Sequence, residues 1–232
     1  MLSENHPPKL SLGPSPLRRG RHCFQRASPN PWESSEKRIN MEQEIDLEEV
    51  KAAVETLKAG GIILYPTDTV WGIGCDATNE EAVARVYEIK KRADSKSLIT
   101  LVADADMLGK YVKVIPEVAI NLLEVNDKPM TIIYPGAMNL APNVIAEDGS
   151  AGIRIPMNDF CVEVIRRFHK PIVSTSANIS GEPAPAFYED IPLEIIEAVD
   201  WVADPYLEEG ATGEPSQIIA VGLRGEIKII RE

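Results

Sequence analysis

The chain has 232 residues, of which 44% are hydrophobic and 26% charged, as is typical of a soluble globular protein with one or two domains. No apolar run reaches the roughly 18 residues that a membrane-spanning helix needs, so we expect no membrane partner. The net charge is −12, and residues 1–40 contribute +4, which leaves −16 for the rest of the chain. An acidic body argues against broad, sequence-independent nucleic-acid binding, although it leaves room for a local basic groove.

The cysteine and histidine content limits the kinds of catalytic and metal site that the sequence predicts. Cys23, Cys75 and Cys161 lie far apart and no CxxC motif occurs, which predicts free thiols in a reducing, cytoplasmic environment. His169 is the one histidine beyond the first 40 residues, so we expect neither a Ser-His-Asp triad nor a multi-histidine metal site. Any catalysis would rest on Lys, Arg, hydroxyl, amide and carboxylate groups.

Residues 1–40 differ in composition from the rest. They are rich in Pro, Ser and Arg, show no apolar period, and lack the continuous apolar segment of a secretory signal. We interpret them as a disordered leader or a non-native N-terminal extension before a natural start at Met41. Residues 41–232 are then predicted to form one domain.

From residue 46 onward, apolar-periodic helices alternate with short apolar strands. The first helix begins near Asp46 and ends at Gly60, and a buried strand (61–65) leads into a Thr/Asp/Gly-rich loop (66–74). Further helices are predicted at 79–91, 105–111, 115–125, 159–168 and 193–199. Further strands are predicted at 98–102, 129–134, 151–155, 172–174, 201–203, 217–221 and 227–230. Without a strict βαβ repeat, this mixture predicts an α/β fold with a twisted mixed sheet and flanking helices.

The segment from Gly72 to Ala77 matches the dinucleotide-binding pattern G-x-G-x-x-A. That pattern requires an acidic residue about 20 positions later, where this chain is instead rich in Lys and Arg. We therefore interpret the segment as a tight loop that needs its glycines.

A cationic cluster of Lys90, Lys91, Arg92 and Lys96 lies at the end of the predicted helix 79–91. Such a cluster often forms a solvated face that complements the helix dipole. Because a Thr-rich loop and an apolar strand flank it, phosphate binding is the alternative, with Arg as a planar fork and Lys as a mobile charge.

The polar segment 174–181, STSANISG, follows a buried strand. Its hydroxyl and amide groups could satisfy their own backbone or grip a ribose, a phosphate or a metal-bound water. In an extended segment, Ser176 and Asn178 point the same way.

Arg154 lies within the apolar strand 151–155. A lone arginine on a strand often occupies an exposed sheet position. If it points inward it needs a partner, which a carboxylate-bearing ligand would supply.

Together these segments resemble the YrdC-like threonylcarbamoyl-AMP synthase family. The matching pieces follow the family's order: YPTDTVWGIG at 65–74, KKR at 90–92 with Lys96, PMTII at 129–133, GIRIP at 152–156, STSANISGEP at 174–183, and EPSQII from 214 with a late arginine. The resemblance implies a YrdC-like catalytic domain over 41–232, with its sheet around a concave cavity. It also implies the condensation of L-threonine, bicarbonate and ATP to threonylcarbamoyl-AMP and pyrophosphate. The product would supply the tRNA threonylcarbamoyl-transferase machinery.

The resemblance further implies a role for individual residues. The catalytic positions are Lys90, Arg92, Ser176 and Asn178. The ATP contacts are Arg92, Lys96, Ser150, Ser176, Ala184 and Arg231. The threonine contacts are Thr69, Arg154, Ser174 and Ser216. Mg²⁺ would enter on the ATP phosphates, without side-chain ligands. Leu101 stands where the family commonly has a histidine, which leaves one threonine contact open.

Two other functions are compatible with this fold. The first is a double-stranded RNA-binding or ribosome-associated factor, with tRNA or double-stranded RNA as partner; the Lys90–Lys96 cluster allows it and the acidic body weighs against it. The second is carbamoyl transfer of the kind found in hydrogenase-maturation proteins, which the lack of zinc-finger-like Cys motifs disfavours.

Overall fold

The computed structural model of the protein describes residues 47–91 and 98–232. The strands are β1 (Ile63–Tyr65), β2 (Gly72–Gly74), β3 (Ile99–Leu101), β4 (Met130–Tyr134), β5 (Ala151–Arg154), β6 (Ile172–Ser176), β7 (Trp201–Val202), β8 (Gln217–Val221) and β9 (Ile227–Arg231). The helices are α1, whose described part is 47–58, α2 (Glu80–Ile89), α3 (Ala105–Leu108), α4 (Glu117–Val125), α5 (Asp159–Phe168) and α6 (Leu193–Ala198). Two short 3₁₀ turns span Tyr188–Asp190 and Pro205–Glu208.

Within these ranges, nine strands form one sheet in the order β7-β1-β2-β6-β3-β5-β4-β8-β9. The pairs β1–β7, β3–β5 and β4–β8 are parallel, and the other neighbouring pairs are antiparallel. The predicted mixed sheet with flanking helices is therefore confirmed. None of the helices described is long and apolar enough to cross a membrane.

Most predicted elements agree with the structure to within a few residues, and local signals explain why. The Asn79 side chain caps α2 by accepting hydrogen bonds from the backbone N–H groups of Glu81 and Ala82, at 3.1 and 3.2 Å. Helix α5 has the predicted bounds, and Asn158 caps it in the same way. Gly60 ends α1 with a φ of +77°, a conformation that favours glycine.

Strand β2 occupies a segment that the sequence predicted to be a tight loop, and that prediction is wrong. Its residues pair antiparallel with β1 on one side and with β6 on the other. A Cβ atom on Gly74 would lie 2.6 Å from the Val173 carbonyl oxygen and 2.7 Å from Tyr65 Cε1. Glycine is thus needed for close packing within the sheet. Because glycine is depleted in strands and Ile73 alone supplies an apolar signal, the sequence pattern did not indicate a strand.

Strand β6 extends two residues beyond the predicted 172–174. Thr175 and Ser176 pair with Ile73 and Gly72 of β2, so the start of the polar segment belongs to the sheet. The two 3₁₀ turns were not predicted either. The extension of β6 places its last hydroxyl group at the carboxyl end of a central strand.

The two faces of the sheet differ in polarity. One hydrophobic core joins the sheet to α1, α2 and α5, and Leu57, Ile63, Val86, Ile153 and Ile165 in it are each at most 2% exposed. Burying a side chain of this size contributes about 1.5–3 kcal/mol to folding. Since side chains alternate along a strand, the opposite face is left for polar groups such as those of β6.

The connection from β7 to β8, residues 203–216, is called here the crossing segment because it joins one edge of the sheet to a strand beside the other edge. It runs along the loop that follows β1. The backbone N–H groups of Thr212 and Gly213 donate to the carbonyl oxygens of Asp68 and Thr69, at 3.1 and 2.8 Å. Distant strands are thereby brought around one concave space.

Candidate active site

A cavity of about 290 Å³ opens where the loop after β1, the end of β6 and the end of the crossing segment meet. Strands near both edges of the sheet contribute to its walls. Its lining residues are Thr67, Thr69, Val70, Trp71, Gly72, Leu98, Ile99, Arg154, Ser174, Thr175, Ser176, Asn178, Glu182, Ala184, Pro215, Ser216, Ile218 and Arg231. All four residues predicted to contact threonine are in this set.

Arg154 is 5% exposed and lines the cavity from the end of β5. Its Nη2 forms an ion pair with the Asp68 carboxylate, and its Nη1 donates to Thr69 Oγ1 at 3.1 Å. Its buried Nε–H has no hydrogen-bond partner among the described residues. A buried donor of this kind is costly to leave unpaired, and Arg154 lines the cavity, where a ligand could supply an acceptor for its guanidinium.

Sequence reasoning missed Asp68. It expected an inward arginine to obtain its carboxylate from a ligand, whereas Asp68 supplies one from within the chain. One Asp68 oxygen pairs with Arg154, and the other accepts from the Met157 backbone N–H at 3.2 Å. The available signal is the position of an acidic residue between two threonines shortly after a buried strand.

A second guanidinium faces the same cavity from β9. Arg231 donates from Nε and Nη2 to the Ser216 carbonyl oxygen, at 3.0 and 2.7 Å. Burial, together with the nearby positive charge of Arg154, lowers the pKa of Arg231. Two arginines that repel each other across one space make that space favourable for an anion.

Ser216 is 3% exposed and joins the crossing segment to the sheet. Its Oγ lies 2.8 Å from Thr131 Oγ1 on β4. This hydroxyl pair fixes the crossing segment beside Arg231, so the predicted ATP contact and the predicted threonine contact lie side by side.

Lys90 has an unexpected environment at the end of α2. It is 2% exposed, and its Nζ donates to the carbonyl oxygens of Ser176 and Asn178, at 2.5 and 2.6 Å, and to Asn178 Oδ1 at 3.2 Å. The interpretation of the cluster as a solvated face is therefore wrong for Lys90. It fits Lys91, whose exposed Nζ pairs with Glu194 at 2.9 Å.

The Ser176–Asn178 turn is held tightly above Lys90. Ser176 Oγ donates to Asn178 Oδ1 at 2.5 Å, and the Asn178 amide nitrogen donates to the carbonyl oxygens of Ile179 and Glu182, at 3.0 and 2.6 Å. Both Ser176 and Asn178 line the cavity, whereas Lys90 lies behind them. The lysine thus fixes the orientation of the two residues that face the cavity.

The other predicted ATP contacts are distributed as follows. Ala184 lines the cavity. Ser150 lines an adjoining apolar pocket of about 120 Å³, which shares Leu98, Ile99 and Ile218 with the cavity, and its hydroxyl donates to Asp148 Oδ1 at 2.6 Å. Arg92 and Lys96 lie outside the described residues, so their roles remain predictions.

Trp71 forms part of the cavity wall and is 1% exposed. Its Nε1 donates to Glu208 Oε2 at 2.6 Å, and the same oxygen accepts from the Tyr188 backbone N–H at 2.8 Å. The Trp71 and Tyr188 rings lie 5.2 Å apart at a tilt of 55°. Glu208, which sequence reasoning missed, therefore connects the crossing segment to Trp71 in the wall and to the 3₁₀ turn that begins at Tyr188.

Two further observations concern a metal site and the position at which the family commonly has a histidine. Among residues 47–91 and 98–232, no cluster of three or more His, Cys, Asp or Glu side chains is arranged to hold a metal ion. Leu101, at the position where the family commonly has a histidine, is 1% exposed and belongs to the hydrophobic core.

The fold and the site define a class: an α/β protein whose curved mixed sheet encloses a cavity with two arginines and many hydroxyl groups. Residues 55–232 match the model of the family that comprises Sua5, YciO and YrdC, described as "Telomere recombination". The chain belongs to this family, and the resemblance seen in the sequence is confirmed.

Relatives in this family carry an enzyme name. The chain is 34% identical over 170 residues to threonylcarbamoyl-AMP synthase of Stenotrophomonas maltophilia, an alignment that covers 72% of this chain and 90% of that one. It is also 34% identical over 176 residues to the enzyme of the same name from Xanthomonas euvesicatoria, with 75% and 93% covered.

Two solved structures are similar to the chain. The crystal structure of P. abyssi Sua5 complexed with L-threonine has 27% identity and a TM-score of 0.67, with 76% of this chain and 51% of that one covered. The crystal structure of E. coli YciO has 26% identity and a TM-score of 0.65, with 79% and 88% covered. The chain thus spans about half the length of Sua5 and most of the length of YciO.

Proposed function

We propose that the protein is an L-threonylcarbamoyladenylate synthase, which condenses L-threonine, bicarbonate and ATP to threonylcarbamoyl-AMP and pyrophosphate. The observation that carries the proposal is the cavity lined by both Arg154, whose Nε–H finds no partner in the described part of the chain, and the Ser176–Asn178 turn. Relatives at 34% identity carry the name of this enzyme, and a solved structure of Sua5 holds L-threonine.

The threonine carboxylate is proposed to bind Arg154. A guanidinium forms strong charge-assisted hydrogen bonds with a carboxylate, and burial of Arg154 strengthens them because little water competes. Thr69, Ser174 and Ser216 surround this position with hydroxyl groups that can bind the polar atoms of an amino acid.

ATP is proposed to lie along the other side of the cavity. The α-phosphate would lie near Ser176 and Asn178, with Arg231 and, outside the described residues, Arg92 and Lys96 as cations for the phosphates. The small apolar pocket beside Ser150 has the character that a purine ring requires. Mg²⁺ enters the proposal bound to the ATP phosphates, where it would neutralise part of their charge.

The proposed reaction depends more on the positioning of the substrates than on acid–base groups of the protein. The amino nitrogen of threonine is carboxylated by bicarbonate with loss of water, and an oxygen of the resulting carbamate attacks the α-phosphorus. The new P–O bond forms as the bond to the departing pyrophosphate breaks. Stabilising the spread negative charge is the main contribution that a protein makes to such a step, and arginine, hydroxyl and amide groups can make it.

We further propose that the product supplies the tRNA threonylcarbamoyl-transferase machinery in the cytoplasm. Direct binding of tRNA or double-stranded RNA is the alternative role, and the net charge of −16 over residues 41–232 weighs against it. RNA binding would weaken steeply with added salt and would not respond to threonine.

The test of the proposed function is pyrophosphate release with ATP, Mg²⁺, L-threonine and bicarbonate, in which each component is omitted in turn. Release should require both L-threonine and bicarbonate. Serine, which lacks one methyl group, should react less well by roughly the 1 kcal/mol of one buried methyl. Release that ignores threonine would remove the synthase assignment.

A further inference from the structure

Thr67 and Thr69, on either side of Asp68, form a hydroxyl network, of which the predicted site included Thr69 but not Thr67. Both side chains line the cavity and are buried, at 3% and 4% exposure. Their oxygens Oγ1 lie 2.8 Å apart. Either could donate across that distance, so the direction of the bond has to be found from the other partners.

The partners of Thr67 fix its proton. Thr67 Oγ1 lies 2.9 Å from the Val70 carbonyl oxygen, which can only accept, so the single hydroxyl proton of Thr67 is donated there. Thr67 Oγ1 also accepts from the backbone N–H of Thr69 at 3.0 Å. With its proton used, Thr67 must accept from the Thr69 hydroxyl, and its one donor and two acceptor positions are then full.

The direction of this bond determines what Thr69 can offer to a ligand. Its proton is directed to Thr67, and one of its lone pairs accepts from Arg154 Nη1 at 3.1 Å. One lone pair remains. Thr69 can therefore present only an acceptor to the cavity, and the ligand group that binds it must be a donor.

We propose that Thr67 is a positioning residue that holds the Thr69 hydroxyl as an acceptor for the α-amino group of the substrate. The inference rests on the proposed function. Arg154, bonded to Thr69, takes the substrate carboxylate, and in an α-amino acid one carbon separates the carboxylate from the amino nitrogen. A carboxylate bound to Arg154 therefore brings the amino group close to Thr69. After carboxylation the carbamate nitrogen keeps one N–H. The hydrogen bond to Thr69 can therefore form both before and after this step.

The chain offers a matched pair of variants. Thr67→Val keeps the shape and removes the hydroxyl, which frees the Thr69 proton to point into the cavity against the amino group. Thr67→Ser keeps the hydroxyl and removes only a methyl. Titration calorimetry should give a Kd for L-threonine about tenfold or more higher for Thr67→Val, and within about threefold of the wild type for Thr67→Ser.

The affinity of the two variants for ATP distinguishes a positioning role of Thr67 from general damage to the site. The Kd for ATP should change less than about threefold in both variants. If Thr67→Val binds L-threonine as the wild type does, or if both variants lose threonine and ATP binding equally, the inference is overturned. If the wild type itself binds no L-threonine, the proposed function fails first, which is a different result.

A competition experiment on the wild-type protein tests the same inference without any variant. The probe is 3-hydroxybutanoate, which keeps the carboxylate, hydroxyl and methyl groups of threonine and lacks the amino group. It should displace L-threonine at least about tenfold less well than L-serine, which keeps the amino group. Displacement as good as that by L-serine would show that Thr69 does not bind the amino group, and the inference would fall even if Thr67→Val does not fold.

Discussion

Two walls of the cavity are built around a buried cation, but the cations are used differently. At the loop after β1, Asp68 pairs with Arg154 from the end of β5, and the Arg154 Nε–H has no partner among the described residues. Behind the Ser176–Asn178 turn, Lys90 gives its ammonium to oxygens of the turn itself. The first wall presents charge to a ligand, whereas the second uses charge to hold the groups that face the ligand. Two cations of similar burial should therefore give different defects when replaced.

Lys90→Met is expected to have the largest effect, and the effect should be on folding. It leaves three oxygens of the turn without their cationic donor, and hydrogen bonds to a charged group contribute about 1.5–3 kcal/mol each. The free energy of unfolding, measured in urea, should fall by about 3 kcal/mol or more. The control is Lys91→Met, whose exposed pair with Glu194 should contribute about 0.5 kcal/mol. Equal losses for the two variants would contradict the distinction.

Arg154→Lys should act on the ligand more than on the fold. Lysine keeps the charge beside Asp68 but lacks the planar fork that binds a carboxylate. The KM for L-threonine should rise about ten- to a hundredfold, while the KM for ATP changes little. Arg224→Lys, an exposed arginine away from the cavity, is the control. An equal rise in both KM values would place Arg154 among the residues that only maintain the wall.

Glu208→Ala tests the connection between the crossing segment and the wall. It removes the acceptor of the Trp71 indole N–H and the Tyr188 backbone N–H. Leaving such donors unpaired costs about 1–2 kcal/mol, which urea unfolding followed by tryptophan fluorescence should detect. Glu209→Ala, at the exposed neighbouring position, should change stability by less than about 0.5 kcal/mol. A loss no larger than that of the control would show that the crossing segment is held by its backbone bonds alone.

Removal of residues 1–40 should have the smallest effect. We expect their Pro-, Ser- and Arg-rich composition to offer too little apolar surface to offset the entropy of ordering them. A chain that starts at Met41 should keep the melting temperature and the activity of the full chain. A substantial drop in either would show that these residues belong to the folded domain.

The parts of the molecule that were predictable are those encoded locally. The apolar stripe and the Asn158 cap of α5 are both visible in the sequence, and its bounds were found. The family motifs led to Thr69, Arg154, Ser174 and Ser216, which the fold brings to one cavity. Their roles as threonine contacts remain predictions.

What was missed depends on contacts between distant positions. Asp68 and Glu208 acquire their partners 86 and 137 residues away in sequence, where no local pattern connects them. Gly74 is needed because of Tyr65 and Val173, so its place in a strand was hidden until the sheet was assembled. Lys90 looked like a surface cation because its neighbour Lys91 is one.

The central claim is that this cavity joins an amino acid, bicarbonate and ATP, and the most direct measurement follows the carbon of bicarbonate. The protein is incubated with ¹³C-bicarbonate, L-threonine, ATP and Mg²⁺, and the products are identified by mass spectrometry. The account predicts a threonylcarbamoyl-adenylate that carries the label, formed together with pyrophosphate and absent when threonine is omitted. ATP that is bound or consumed without a labelled adenylate would contradict it.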